Sequence, residues 1–202
     1  IIPLWISGKT DGYFVAKFIS AQRRQAVHTA NYLQPPLQVG RQAARTQHRP
    51  AIPAPPISTC TSADAEEMSR VFRNTFKTYP FPIDKPAYLR RMIQEGVQYY
   101  CIRNQGSIAA LAAAEIDLTN QNAELTDFAT IPDCWNKGFA GMLLMHMERK
   151  ILKVGIKTAY TIARAASPGM NFVFRNSGYR YAGLLVNNTQ ICGSIESMAV
   201  WY

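Results

Sequence analysis

The chain has 202 residues, 48% apolar and 17% charged, which excludes intrinsic disorder and leaves room for one globular domain plus an appendage. No run of about 18 uncharged apolar residues occurs, so neither a membrane-spanning helix nor a membrane partner is expected. The net charge of +9 is uneven, seven Lys/Arg against one Asp in residues 1–56 and fifteen against twelve in 57–202, and it lacks the aromatic interleaving of a nucleic-acid surface.

The sequence opens IIPLWISGKT, with no initiator Met, basic n-region or cleavage site. It therefore reads as a fragment or a processed product without a signal peptide. The turn-containing, aromatic stretch DGYFVAKFIS (11–20) reads as one or two strands. Half of the twelve prolines fall between Pro35 and Pro56, so 21–56 reads as a basic, Pro-rich linker. From Ile57 the pattern turns regular. Thr61 or Ser62 is the predicted N-cap of a first helix, with Glu66 as capping-box partner and Met68, Val71, Phe72 and Phe76 as its apolar stripe.

TYPFP (78–82) interrupts that helix, and 86–96 forms a second one ended by Gly96. Strands are expected at 97–104, 106–118 and 122–132, the first two joined by a turn at Asn104–Gly106. A helix follows over 139–154 with Phe139, Leu143, Met147, Ile151 and Val154 on one stripe, stopped at Gly155. A strand (156–165), a short helix (168–178) and strands at 179–187 and 195–202 close the chain. This order describes an α/β chain (α+β by some schemes), a mixed central sheet with helices on both faces. Cys60, Cys101, Cys134 and Cys192 form no CxxC pair and read as free thiols of a cytoplasmic protein.

The loop DCWNKGFAGMLL (133–144) places Gly138 and Gly141 around a helix start that has no acid in its first turn. Such a terminus offers unpaired N–H groups and the positive end of the helix dipole to an anion, most often a phosphate. The loop follows a strand and opens an amphipathic helix, and MNFVFRNSGYRYAG lies further on. Together these resemble the GNAT superfamily of acyl-CoA transferases. Its [Q/R]-x-x-G-x-[G/A] loop corresponds to Trp135, Asn136, Lys137, Gly138, Phe139 and Ala140, with Trp135 departing from Gln/Arg. Its N-x-x-x…G-[FY] pattern corresponds to Asn171, Gly178 and Tyr179.

Over 57–202, and recognisably over 1–20, the stretches TYPFP, TIARA…GMN and GYRYAG…NN…ICG are similar to the beta-lysine N-acetyltransferase family. That resemblance implies a GNAT fold in 57–202, with 1–20 the remnant of a reduced N-terminal half. It implies acetyl transfer from acetyl-CoA to the side-chain amine of L-beta-lysine, giving N6-acetyl-beta-lysine, a compatible solute. No metal is called for, the partner is a small amine, and a homodimer stays open. Another small amine, such as a polyamine, and a non-catalytic coenzyme A-binding regulatory role are the alternatives.

By the same resemblance the cofactor lies on Asn136, Lys137, Gly138, Phe139 and Ala140, on Asn171, and along the backbone of Ala129, Thr130 and Ile131. A protonated amine is not a nucleophile, so a base is required. Glu124 stands where many relatives carry theirs. Asp127 could hold the substrate's ammonium, and Tyr79 and Phe81 could pack on its methylenes. Simple alternation puts Glu124, Thr126 and Phe128 on one face of the strand and Leu125, Asp127 and Ala129 on the other. Phe174 occupies the position where many relatives use Tyr to protonate the leaving thiolate. Tyr179, Tyr160 or a water could substitute, and no acid is assigned. Asn187 and Asn188 read as a turn or as substrate readers, and His146 as a helix-face residue.

Overall fold

A computed structural model describes residues 1–25 and 55–202, so most of the predicted linker (21–56) lies outside the described residues. A seven-stranded sheet runs in the order β3-β4-β5-β6-β7-β9-β8. Its strands are β3 (Ile57–Thr59), β4 (Gln98–Asn104), β5 (Ser107–Asp117), β6 (Asn122–Thr130), β7 (Thr158–Arg164), β8 (Tyr181–Ile191) and β9 (Ser194–Trp201). Neighbours are antiparallel except β6 and β7, which are parallel because helix α4 (Phe139–Lys153) carries the chain across the sheet between them. Helices α2 (Ala65–Thr75) and α3 (Pro86–Gln94) cover one face; α4 and α5 (Pro168–Asn176) cover the other.

The run IAALAAA (108–114) makes β5 the spine, buried along that whole length. Ala110, Ala112 and Ala114 pack with Leu143, Leu144 and Met147 of α4, whereas Leu111 and Ala113 pack with Met68 and Phe72 of α2. The small side chains let helices approach on both sides, and the four-residue α1 (Ala21–Arg24) lies against the outer strand β8.

Three expectations are corrected. The early strands are β1 (Ile2–Ile6) and β2 (Thr10–Gly12), not 11–20, because the turn falls at the left-handed Ser7 and Gly8. This hairpin docks on the start of β6 and β7: the Asn122 side chain donates to the Trp5 carbonyl at 2.6 Å, and the Thr158 hydroxyl donates to that of Pro3 at 3.2 Å. The capping box at Thr61 uses Asp64, whose carboxylate accepts the Thr61 N–H at 2.7 Å around a short 3-10 turn, so Glu66 is left to pair with Arg90. Strand alternation also fails inside β6. Asp127 takes a left-handed conformation, φ +55°, and the ladder slips between Ala113↔Thr126 and Leu111↔Ala129. This bulge puts Phe128 on the α4 side with Leu125, away from Glu124 and Thr126.

Candidate active site

Among the described strands, the sheet is split at its one parallel junction. Strands β6 and β7 pair at Asn122↔Thr158, Ala123↔Ala159 and Glu124↔Tyr160. From Thr161 onward β7 pairs with β9 instead. The two strands thus part just beyond Glu124, and a cleft of about 680 Å³ opens between them. Its walls are Thr126–Phe128 and Thr130 of β6, Thr161–Arg164 of β7, the start of α4 and one face of α5.

Gly138–Gly141 form the mouth of this cleft. Gly138 is the N-cap of α4 with φ +79°, a left-handed conformation that a side chain would strain. No side chain caps the helix and its first turn has no acid. Among the described residues, no protein group accepts the N–H of Lys137, Gly138, Phe139, Ala140 or Gly141. A Cβ built on Gly141 meets nothing within 4 Å. Bare donors, the positive end of a 15-residue helix and free space fit a diphosphate.

Trp135 stands where the resembling loop has Gln or Arg. Its indole N–H donates to the Thr130 carbonyl at 2.8 Å and staples the loop to the end of β6. Of the three backbone positions expected beside the cofactor arm, only Thr130 lines the cleft. Ala129 is buried against the α2 side, and the Ile131 N–H donates to the Ala109 carbonyl. Asn171 does not present its side chain to the cleft. Fully buried, it donates to the carbonyls of Arg164 and Ser167 and accepts the Trp201 indole N–H at 2.8 Å. Its amide holds α5 to β7 and β9, a structural role in place of the expected cofactor contact.

Three carboxylates gather where β6 and β7 part, of which only Asp127 lines the cleft. Glu124 is partly buried. Desolvation, then Glu115 and Asp127, push its carboxyl up to about 8, although the Tyr160 hydroxyl and the Ile162 N–H bond to the charged form. Asp127 is only 8% exposed. It accepts hydrogen bonds from the hydroxyls of Tyr79 at 2.6 Å and Tyr99 at 3.3 Å. Burial still raises it above the ordinary carboxylate range. Glu115 lies directly across the ladder from Glu124 at the exposed end of β5, and partial desolvation followed by Asp127 raises it too. Sequence reading missed Glu115, although it is the first acid after the long apolar run of β5. Register brings it opposite Glu124, and register is not a local property.

Tyr79 lines the cleft, whereas Phe81 remains 57% exposed and lines no cavity described here. Phe174 does line the cleft, and it carries no proton to give. Tyr179 packs on Phe174 with ring centroids 5.2 Å apart, and its phenol faces Glu148 instead of the cleft. Asn187 donates to the carbonyls of Arg23 and Gln25, and His146 packs against the ring of Tyr100; both are remote from the vertex. A second cavity, about 730 Å³, opens between the N-terminal hairpin and the ends of β4, β5 and β6. Trp5, Glu115 and Tyr160 line it.

Residues 65–179 match the family model described as Acetyltransferase (GNAT) family. The chain is 36% identical over 198 residues to the beta-lysine N(6)-acetyltransferase of Methanococcus maripaludis, a match covering 95% of this chain and 70% of that protein. It is likewise 36% identical over 145 residues to the protein of that name from Methanosarcina mazei, covering 72% of this chain and about half, 54%, of the relative. Among solved structures, a GNAT superfamily phosphinothricin acetyltransferase from Sinorhizobium meliloti in complex with AcCoA superposes with a TM-score of 0.63 at 17% identity, over 72% of this chain and 85% of that one.

Proposed function

The chain belongs to the GNAT acetyltransferase family, and from that premise we propose that it moves the acetyl group of acetyl-CoA onto the side-chain amine of L-beta-lysine. The carrying observation is the run of amides from Lys137 to Gly141, unaccepted among the described residues and set beside a cleft that begins just beyond Glu124. Those amides hold the diphosphate, and the exposed edge of β6 as far as Thr130 carries the pantetheine arm as an added strand would be carried. The reading treats 57–202 as the catalytic domain and 21–56 as a linker. Its product is N6-acetyl-beta-lysine, made in the cytoplasm as a compatible solute.

The acceptor arrives as an ammonium. Glu124, raised by burial, takes its proton directly or through one water. The freed nitrogen attacks the thioester carbonyl and the new C–N bond forms; the nitrogen then gives its surplus proton to solvent, the C–S bond breaks, and coenzyme A leaves as its thiolate. Phe174 gives no proton to the sulfur, so the thiolate is protonated by solvent or leaves unaided. Asp127, held by hydrogen bonds from Tyr79 and Tyr99, places a carboxyl in the cleft three residues beyond Glu124.

The test is a panel of amines with acetyl-CoA, followed by release of free thiol. A kcat/KM for beta-lysine at least tenfold above alpha-lysine and spermidine, about 1.4 kcal/mol, supports the narrow assignment. Equal values reduce it to a small-amine acetyltransferase. Coenzyme A binding with transfer to no amine identifies a regulatory domain, the reading that Phe174 favours. No coenzyme A binding by calorimetry removes the proposal altogether.

A further inference from the structure

The second cavity is separate from the coenzyme A cleft, and its composition is one-sided. Three of its lining residues are acids, Glu95, Glu115 and Asp117, and none is Lys or Arg. Its aromatic wall is Trp5, whose ring meets Tyr160 edge-on with centroids 5.6 Å apart. An aqueous chamber with carboxylates, an aromatic wall and no basic side chain favours an organic cation over a neutral or anionic ligand.

The acids are not equivalent. Glu95 pairs with Arg91 at 3.7 Å. Asp117 accepts both the backbone and side-chain N–H of Asn120, at 2.9 and 2.7 Å. Glu115 has no ion-pair or hydrogen-bond partner among the described residues. The cavity also adjoins the vertex from two sides. Glu115 faces Glu124 across the β5–β6 ladder, and Tyr160 bonds to Glu124 from β7. Directly opposed residues in such a ladder have Cβ atoms about 5 Å apart. Two carboxylates so placed suit two amino groups joined by a short aliphatic chain, one reacting and one anchored.

We propose that this cavity is the acceptor chamber and that Glu115 selects acceptors carrying a second ammonium group, with Trp5 of the N-terminal hairpin as the wall along which the methylenes lie. The inference rests on the acetyltransferase reading, because only there does Glu124 meet an amine. It adds a specificity residue and makes the hairpin part of the site.

The test compares 3,6-diaminohexanoate with 6-aminohexanoate, which lacks the second amino group, in native protein and in Glu115→Gln and Glu115→Asp variants. Native protein is expected to prefer the diamino acid by at least tenfold in kcat/KM. Glu115→Gln reduces that preference at least tenfold, mainly through KM, and Glu115→Asp restores part of it. Calorimetry of 3,6-diaminohexanoate shows the same order of affinities without turnover, and thermal melting confirms that each variant is folded. A preference unchanged by Glu115→Gln overturns the inference and leaves the acetyltransferase reading standing. Native protein that binds coenzyme A but acetylates neither acceptor overturns both.

Discussion

Glu124 shows how a single carboxyl is set for proton transfer by its surroundings. It has two other acids nearby and a partly buried position, and its carboxyl is pushed up to about 8. Only the ionised form accepts a proton, so kcat at saturating acceptor is expected to rise about tenfold per pH unit toward 8 and then level. Glu124→Gln should lower kcat by about 10²–10⁴ and abolish the bend, while its affinity for coenzyme A, read by calorimetry, stays within twofold. A native profile flat from pH 6 to 8 eliminates Glu124 as the base. Tyr79 acts on a neighbouring acid. Its phenol donates at 2.6 Å to Asp127, which also accepts a hydrogen bond from the Tyr99 hydroxyl at 3.3 Å. Tyr79→Phe leaves that buried carboxyl short of a donor and should cost about 1–3 kcal/mol in urea unfolding.

Among the elements, α4 carries the opposition between stability and binding. Its first turn lacks the acid that would complement the dipole, and Gly141 occupies a helical position with no neighbour to accommodate. Gly141→Asp should therefore stabilise the helix, by about 0.3 kcal/mol from propensity and about 0.3–1 kcal/mol from the dipole. The same carboxylate would stand where the diphosphate docks, so coenzyme A affinity should fall at least tenfold. Melting temperature and calorimetry on one variant thus move in opposite directions. A variant that gains stability and keeps its affinity would falsify the diphosphate site. This helix start was legible in the sequence because Gly138, Gly141 and the amphipathic stripe are local signals. The bulge was not, because Asp tolerates a left-handed conformation in many settings and only the slipped pairing with Leu111 and Ala113 reveals it. Asn171 fits the motif but serves packing, since its environment comes from Trp201, thirty positions away.

For the whole molecule, the sequence announced the sheet and its helices but not the convergence of Glu115, Glu124 and Asp127, which depends on register between strands and on a bulge. That convergence has a consequence for stability. All three carboxyls lie above their ordinary values in the folded protein, Glu124 and Asp127 through burial and the more exposed Glu115 through partial desolvation. The native state therefore binds more protons than the unfolded chain between the ordinary carboxylate range and the folded values. Stability contributed by these groups is highest at low pH and is lost as pH rises, for Glu124 between about 4.5 and about 8. This is the reverse of an acid held by a basic partner. Glu124→Gln removes the titration, so its advantage over native protein should be near zero at pH 5 and should grow to the order of a few kcal/mol by pH 9. Urea midpoints across that range read the difference. A gap that stays constant with pH would mean that Glu124 titrates as an ordinary surface acid, and the vertex would then lack the buried base on which proton removal from the acceptor depends.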